Sequence, residues 1–128
     1  MKLLLDTCTF LWIVGGGRVL PPAVAAAYRS HDNEVFLSAA STWEIAIKYS
    51  QGRLPLPVPP QTLVAEERLR RGLESLAVDE ESALHVAKLP PLHGDPFDRL
   101  LVSQAIVHGM IILTPDPILA RYPARTMW

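Results

Sequence analysis

The segment Leu3-Leu4-Leu5-Asp6 places three consecutive leucines directly before an acid, near the start of the sequence. A short apolar run without alternation is typical of a strand that is buried on both faces of a parallel sheet. Similar runs occur at Val35–Leu37 and at Met110–Leu113. These runs predict three buried strands, and Glu74–Leu76 and Thr126–Trp128 are weaker candidates for two more.

Helical patterns fill the segments between these strands. The predicted helices are Thr7–Val14, Pro22–Ser30, Thr42–Gln51, Gln61–Arg71, Glu80–Lys88 and Pro96–His108. Residues that favour helix ends flank them: Ser41, Asp79 and Asp95 as N-caps, and Gly52, Gly72 and Gly109 just past the C-terminal ends. Strands that alternate with helices predict a single α/β domain over residues 1–128, with a mostly parallel central sheet flanked by helices.

Composition narrows the possible classes of protein. With 128 residues, 49% of them hydrophobic, the chain suits one folded domain and not a disordered segment. A net charge of −1 gives no sign of a strongly basic nucleic-acid-binding surface. No uncharged stretch reaches the roughly 20 residues of a membrane span, and the single cysteine, Cys8, suits a reducing compartment. We therefore expect a cytoplasmic protein without a membrane partner.

Four acids are predicted to meet at one edge of the sheet, although the sequence scatters them widely. Asp6 directly follows the first strand, and Asp116 follows the Met110–Leu113 strand after two residues. Glu44 lies in the first turn of a helix that leaves a strand, and Asp98 in the first turn of a helix that leads into one. Because ligands of open α/β sheets bind outside the carboxyl ends of the strands, the four carboxylates mark a candidate site.

Three of these acids also have structural explanations. Glu44 stands three residues after Ser41, as in a capping box, and four before Lys48, as in a helical ion pair. Asp98 favours the positive end of a helix dipole, and Asp116 is placed to cap a short helix. Gathered together, however, four carboxylates repel one another and raise one another's pKa unless a cation lies among them.

A hard divalent cation is the partner that best suits a set of carboxylate oxygens. Mg²⁺ or Mn²⁺ binds such oxygens, keeps several waters and takes substrate phosphate as a further ligand. A cation of this kind polarises a phosphoryl oxygen and lowers the pKa of bound water. Without the four acids, 12 basic and 9 acidic residues leave the rest of the chain with a net charge of +3. The pattern predicts a metal-dependent phosphodiester hydrolase.

Four segments resemble the PIN-domain nucleases, and in particular the VapC-type toxins of toxin–antitoxin pairs. They are LLLDTCTFLW (Leu3–Trp12), SAASTWEIAIKYSQGRL (Ser38–Leu54), LPPLHGDPFDRLLVSQA (Leu89–Ala105) and LTPDPILARYPARTMW (Leu113–Trp128). The acidic quartet of the family falls on Asp6, Glu44, Asp98 and Asp116. The resemblance implies a Mg²⁺- or Mn²⁺-dependent endoribonuclease that cuts cellular RNA such as tRNA or rRNA. It also implies inhibition by a cognate antitoxin protein, and a homodimer.

The expected roles of the four acids differ. Asp6 and Asp98 are predicted to ligate the metal directly. Glu44 and Asp116 either bind it through water, hold a second metal or orient the attacking water, and the sequence leaves these choices open. Cys8 stands where many relatives have histidine, and we expect it to be small buried filler and not part of the cavity lining or a ligand of a softer metal.

Residues near the acids have weaker assignments. Thr114 is expected either to donate a hydrogen bond to an acid or phosphate, or to cap a helix. Arg99 is expected in a surface ion pair, and His93 is a weak candidate for contact with RNA. The three tryptophans are expected in the core or in an interface: Trp12, Trp43 and Trp128. The basic residues that are candidates for an RNA backbone are Arg18, Lys48, Arg53, Arg99, Arg121 and Arg125.

Other classes of protein also place acids at strand ends. A receiver-type signalling module has an acidic pair at the first strand and a lysine after a late strand, whereas here Asp6 stands alone and the last lysine is Lys88. A haloacid-type phosphatase needs an acid at the position of Cys8. A catalytically silent PIN fold that only binds a partner is the third alternative, and the intact quartet argues against it.

Overall fold

The computed structural model describes all residues from 1 to 128. The strands are β1 (Lys2–Leu5), β2 (Glu34–Ser38), β3 (Glu74–Leu76), β4 (Ile111–Leu113) and β5 (Arg125–Met127). The helices are α1 (Thr7–Gly15), α2 (Pro22–Arg29), α3 (Ala39–Ser50), α4 (Pro60–Arg71), α5 (Glu80–His85) and α6 (Pro96–His108). Two short 3₁₀ segments complete the fold, Val86–Lys88 and Leu119–Arg121.

All five strands pair in parallel in one sheet of order β3-β2-β1-β4-β5. The prediction of an α/β domain with a parallel sheet is confirmed, and both weaker strand candidates form its edges. β1 is central, and Leu3, Leu4 and Leu5 are fully buried. Leu3 and Leu5 pack with residues of α1, α2 and α4, whereas Leu4 packs with residues of α6 on the other face. The leucine run is therefore covered on both faces, as its composition predicts.

The start of α3 differs from the prediction. The helix begins at Ala39 with Ser38 as its N-cap, whose hydroxyl accepts the Ala40 N–H over 3.0 Å. Ser41, predicted as the N-cap, lies buried inside the helix. Glu44 thus falls in the second turn, and the capping-box explanation of this acid is wrong. The chain passes from β2 into α3 without a loop because Ser38 both ends the strand and caps the helix.

Other helix ends agree with the sequence signals. Asp79 and Asp95 accept backbone N–H groups as the N-caps of α5 and α6. Gly72 and Gly109 end α4 and α6 with positive φ, a conformation that favours glycine. None of the helices combines the length and the apolar character that crossing a membrane would require.

Candidate metal centre

A cavity of about 230 Å³ opens at the carboxyl edge of the sheet and contains all four predicted acids. Its lining residues are Asp6, Thr7, Cys8, Trp12, Glu44, Lys48, Asp95, Asp98, Pro115 and Asp116. The acids come from the end of β1, from α3, from the start of α6 and from the segment after β4. The structure thus brings together residues that the sequence separates by up to 110 positions, whereas their catalytic role stays a prediction.

Asp6 is buried and both of its oxygens accept hydrogen bonds. The Thr9 backbone N–H donates to Oδ1 over 2.7 Å, which makes Asp6 the N-cap of α1. The Thr114 hydroxyl donates to Oδ2 over 2.5 Å and joins β1 to the segment after β4. Burial raises the pKa of Asp6, and the hydrogen bonds from Thr114 and Thr9 oppose that rise. The cap was missed in the sequence, whereas the predicted bond from Thr114 to an acid is confirmed.

Glu44 is buried between a hydroxyl and an ammonium group. The Thr7 hydroxyl lies 2.7 Å from Oε1, and Lys48 Nζ lies 2.5 Å from Oε2. The predicted pair of Glu44 with Lys48 is confirmed, and the hydrogen bond to Glu44 raises the pKa of Lys48. Thr7 Oγ1 also lies 3.0 Å from the hydroxyl of Ser41. These contacts fix the start of α1 against α3 and hold the Glu44 carboxylate in one orientation.

Asp98 carries the most strongly shifted carboxyl group of the cavity. Burial first, and then the charge of Asp95, raise its pKa to about 6, although a contact with His93 opposes the rise. His93 Nε2 lies 3.2 Å from Asp98 Oδ2, and His93 Nδ1 lies 2.7 Å from the Tyr122 hydroxyl. His93 therefore contacts Asp98 and Tyr122. This role was missed, since no local pattern joins positions 93 and 122.

Asp116 and Asp95 line the cavity, and each also accepts hydrogen bonds from backbone N–H groups. Asp116 Oδ1 accepts the Ile118 N–H over 2.9 Å and stabilises the turn at residues 117 and 118. The predicted cap of a helix that starts at Pro117 is wrong, because the 3₁₀ segment begins only at Leu119. The Oδ2 atom of Asp116 has no hydrogen bond to the protein. Asp95 Oδ1 accepts the N–H groups of Phe97 and Asp98, and its charge adds to that of the four predicted acids.

The donor set of the cavity fits a hard divalent cation. Five carboxylates line it and one ammonium group, that of Lys48, offsets their charge. An ionised carboxylate has about four acceptor positions, so Asp6 keeps the capacity for a metal despite its two hydrogen bonds. No group of three or more acid, histidine or cysteine side chains is already arranged around one metal position. Carboxylate oxygens are ligands that Mg²⁺ prefers, and this ion keeps several waters and takes few direct carboxylate ligands.

Two neighbouring residues differ from their predictions. Cys8 is exposed at the cavity and is not buried filler. Partial burial, with the charges of Asp6 and Glu44, raises the pKa of its thiol. Arg99 forms no ion pair; its guanidinium donates to the backbone oxygens of Pro90 and Val86 and to the Tyr122 hydroxyl. The surface ion pair expected for Arg99 is therefore wrong, because a loop before α6 folds over it.

The fold and the cavity define a class: an α/β domain with a parallel sheet whose carboxyl edge gathers acids around a candidate metal site. The model of the PIN domain family matches residues 3–125. The chain belongs to the PIN domain family.

Two relatives come from Mycobacterium tuberculosis. Ribonuclease VapC22 is 29% identical over 114 residues, which cover 88% of this chain and 85% of that protein. Ribonuclease VapC16 is 45% identical over 53 residues, which cover 41% of this chain and only 38% of that protein. The chain is therefore similar to VapC ribonucleases over most of its length in one case and over a shorter segment in the other.

Solved structures of VapBC complexes share the fold. One from Rickettsia felis, bound to a DNA fragment from its promoter, matches with a TM-score of 0.73 at 16% identity and covers 100% of this chain and 99% of that chain. A DNA-bound VapBC from Salmonella typhimurium matches with a TM-score of 0.66 at 18% identity and covers 99% of this chain and 97% of that chain. Because these identities are low, the likeness establishes the fold alone.

Proposed function

We propose that this chain is a metal-dependent endoribonuclease and the toxin of a toxin–antitoxin pair. The observation that carries the proposal is the convergence of Asp6, Glu44, Asp98 and Asp116 on one cavity at the carboxyl edge of the sheet. The names of the two ribonuclease relatives support RNA as substrate. A net charge of +3 outside the four acids is compatible with a polyanion bound beside a metal.

We assign direct contact with Mg²⁺ or Mn²⁺ to Asp6 and Asp98, whose carboxylates line the cavity from β1 and α6. When bound, such a cation supplies Lewis acidity toward a phosphoryl oxygen and lowers the pKa of a coordinated water. Glu44 acts through water, because its charge, unlike that of Asp6, is already paired with a cation: Lys48 Nζ lies 2.5 Å from Oε2. Asp116 presents its unbonded Oδ2 and orients the attacking water.

Lys48 is assigned two roles, one toward Glu44 and one toward the substrate phosphodiester. Its ammonium group is the single cationic group that lines the acidic cavity. It holds Glu44 in place and adds positive charge where a phosphodiester must approach carboxylates. A phosphate group in the cavity would otherwise face uncompensated negative charge.

We further propose the partners that accompany this activity. The neighbouring structures are complexes of VapC with VapB, so we assign to this chain a cognate antitoxin that inhibits it. We also propose a homodimer, a cytoplasmic location and a cellular RNA such as tRNA or rRNA as the substrate. The catalytically silent interaction module is the alternative that the following experiment separates from this proposal.

The test is cleavage of structured RNA by the purified chain, free of antitoxin, with Mg²⁺ or Mn²⁺ and with EDTA. We expect cleavage only with the metal, and its loss in Asp6→Asn and Asp98→Asn. Asp32→Asn is the matched control, because Asp32 is an exposed aspartate just before β2, at the opposite edge of the sheet. Circular dichroism verifies that each variant is folded. Equal cleavage by the wild type and both cavity variants would refute the assignment.

A further inference from the structure

Beside the acidic cavity lies a surface formed by Trp12, Arg18 and Trp128, here termed the Trp12 wall. The Trp12 indole lines the acidic cavity and also a second cavity of about 510 Å³. The centroids of the Trp12 and Trp128 rings are 5.9 Å apart, with the ring planes tilted by 59°. The Arg18 guanidinium lies 4.3 Å above the centroid of the Trp12 ring. The Trp12 side chain therefore lines both the acidic cavity and the second cavity.

The second cavity has the opposite charge. Eleven residues line it; none is acidic and three are arginines, Arg18, Arg29 and Arg71. Arg71 is neutralised by Glu67, whose Oε2 lies 2.7 Å from its Nε. Arg18 and Arg29 take part in no ion pair with the protein. Arg18, whose guanidinium lies over the Trp12 ring, is thus an unpaired cation next to the cavity of five carboxylates, and Arg29 is a second unpaired cation in the lining of the second cavity.

Trp128 was expected in the core or in an interface; it is 40% exposed, so the core position is wrong and the interface position stays a prediction. Trp128 directly follows β5 and thus stands at the carboxyl edge of the sheet, as the acids do. Exposed aromatic rings with an adjacent arginine are the chemistry by which proteins hold unpaired nucleotides. Bases stack on indole and guanidinium planes, and arginine neutralises the adjoining phosphate.

Trp43 provides a contrast within the same chain. It is 59% exposed and packs edge to face on Phe97 at a centroid distance of 5.1 Å. It does not line the acidic cavity. Trp43 lines another cavity together with Arg68. The Arg68 guanidinium donates hydrogen bonds to the backbone oxygens of Glu74 and Leu37. Exposure alone therefore does not set Trp12 and Trp128 apart from Trp43. Trp12 differs because it lines both cavities and carries Arg18 on its ring, and Trp128, which lines neither cavity, differs because it contacts Trp12.

We propose that the Trp12 wall binds the nucleotide that adjoins the scissile phosphate in an unpaired segment of RNA. The base stacks on the exposed Trp128 ring beside Trp12, and Arg18, which lies over the Trp12 ring, contacts the phosphate. A cavity of about 510 Å³ is within the usual range for small-molecule ligands and accommodates one nucleotide. This proposal rests on the proposed ribonuclease function and adds to it a subsite outside the acidic quartet.

The test measures RNA binding separately from RNA cleavage. Fluorescence anisotropy with a short labelled single-stranded RNA is recorded in the Asp98→Asn background, which is expected to bind RNA without cutting it. Arg18→Ala and Trp128→Ala change exposed side chains, so their melting temperatures are expected to remain near that of the background. Trp12→Phe keeps a ring at the more buried position. The matched controls are Trp43→Ala and Arg125→Ala. Arg125 was a candidate for the RNA backbone, but its guanidinium bonds Gly109 O at the edge of the sheet opposite to the acids.

We expect Trp128→Ala to weaken RNA binding by roughly 5- to 150-fold, the effect of losing one stacked base. Arg18→Ala should weaken binding and lower the slope of log Kd against log salt by about one. Trp12→Phe should weaken binding less than Trp128→Ala, since a smaller ring remains. Both controls should bind RNA as the background does. In the wild-type background, the Trp12, Arg18 and Trp128 variants should cleave RNA with a raised KM and a nearly unchanged kcat.

The outcomes separate this proposal from the function on which it rests. If all variants bind RNA equally while the wild type still cuts RNA, the Trp12 wall is not a subsite and the nuclease assignment stands. If the wild type neither binds nor cuts RNA, the proposed function fails and the subsite with it. If Arg18→Ala and Trp128→Ala bind RNA normally but escape inhibition by the antitoxin, the surface belongs to a protein partner and the proposal is overturned.

Discussion

Asp98 makes the stability of this protein depend on pH in a direction opposite to that of most paired carboxylates. Without a divalent metal, its pKa is raised from 3.8 to about 6 in the folded chain. A carboxyl group whose pKa is higher in the folded state stabilises the fold below its unfolded pKa, and that stability is lost as pH rises through the folded pKa. The free energy of unfolding should therefore fall between about pH 4 and pH 6.

The size of this effect follows from the shift. About two pKa units correspond to roughly 3 kcal/mol as an upper limit, since each unit is worth about 1.4 kcal/mol. Replacing Asp98 by Asn removes the charge but weakens the contact with His93, which costs about 1 kcal/mol. Near pH 7 and in EDTA, we expect Asp98→Asn to be more stable than the wild type by roughly 1 to 2 kcal/mol. Near pH 4 this advantage should vanish.

Urea unfolding followed by tryptophan fluorescence measures this difference across the pH range, with Asp32→Asn as the control for an exposed aspartate. Addition of Mg²⁺ near pH 7 should stabilise the wild type and leave Asp98→Asn almost unchanged, because a cation offsets the cost of the buried Asp98 charge and its repulsion by Asp95. A wild type that gains stability relative to Asp98→Asn as pH rises in EDTA would show that the pKa of Asp98 is not raised in the folded chain.

Three further substitutions follow from individual contacts. Thr114→Val removes the hydroxyl that donates to buried Asp6 and should cost about 1 to 3 kcal/mol in urea unfolding, together with a loss of cleavage. Lys48→Met leaves Glu44 without its cation; we expect about 1 kcal/mol less stability and a lower kcat, whereas an unchanged kcat would contradict the role of Lys48 in the cavity. Leu4→Ala in the fully buried central strand should cost about 2 to 5 kcal/mol, seen as a lower Tm, and a loss below 1 kcal/mol would contradict the burial of β1 on both faces.

Local patterns were sufficient to predict much of the fold. Leu3–Leu5 lacks alternation because both faces of β1 are covered, so composition alone indicates a central strand. The gathering of the acids then follows from topology, since the carboxyl ends of parallel strands share one edge. Asp6 and Asp116 meet because β1 and β4 pair directly.

Other features depend on contacts between distant positions. Ser38 and Ser41 have the same capping chemistry, and the choice between them is set by the pairing of Ser38 with Leu76 on β3. The role of His93 depends on Tyr122, 29 positions later, and no spacing rule joins them. Cys8 is exposed because it projects into the cavity while Thr7 and Thr9 of the same turn are buried. The sequence of α1 has no clear apolar stripe, so it does not show which of its side chains are buried and which face the cavity.

The proposed function requires that the four acids make this chain a nuclease for cellular RNA. The most direct measurement maps new RNA ends in cells that express the wild type or Asp98→Asn at matched levels without antitoxin. We expect new ends at discrete positions in a cellular RNA such as tRNA or rRNA, present with the wild type and absent with Asp98→Asn. The same ends in both samples, or no new ends with a folded wild-type protein, would contradict it.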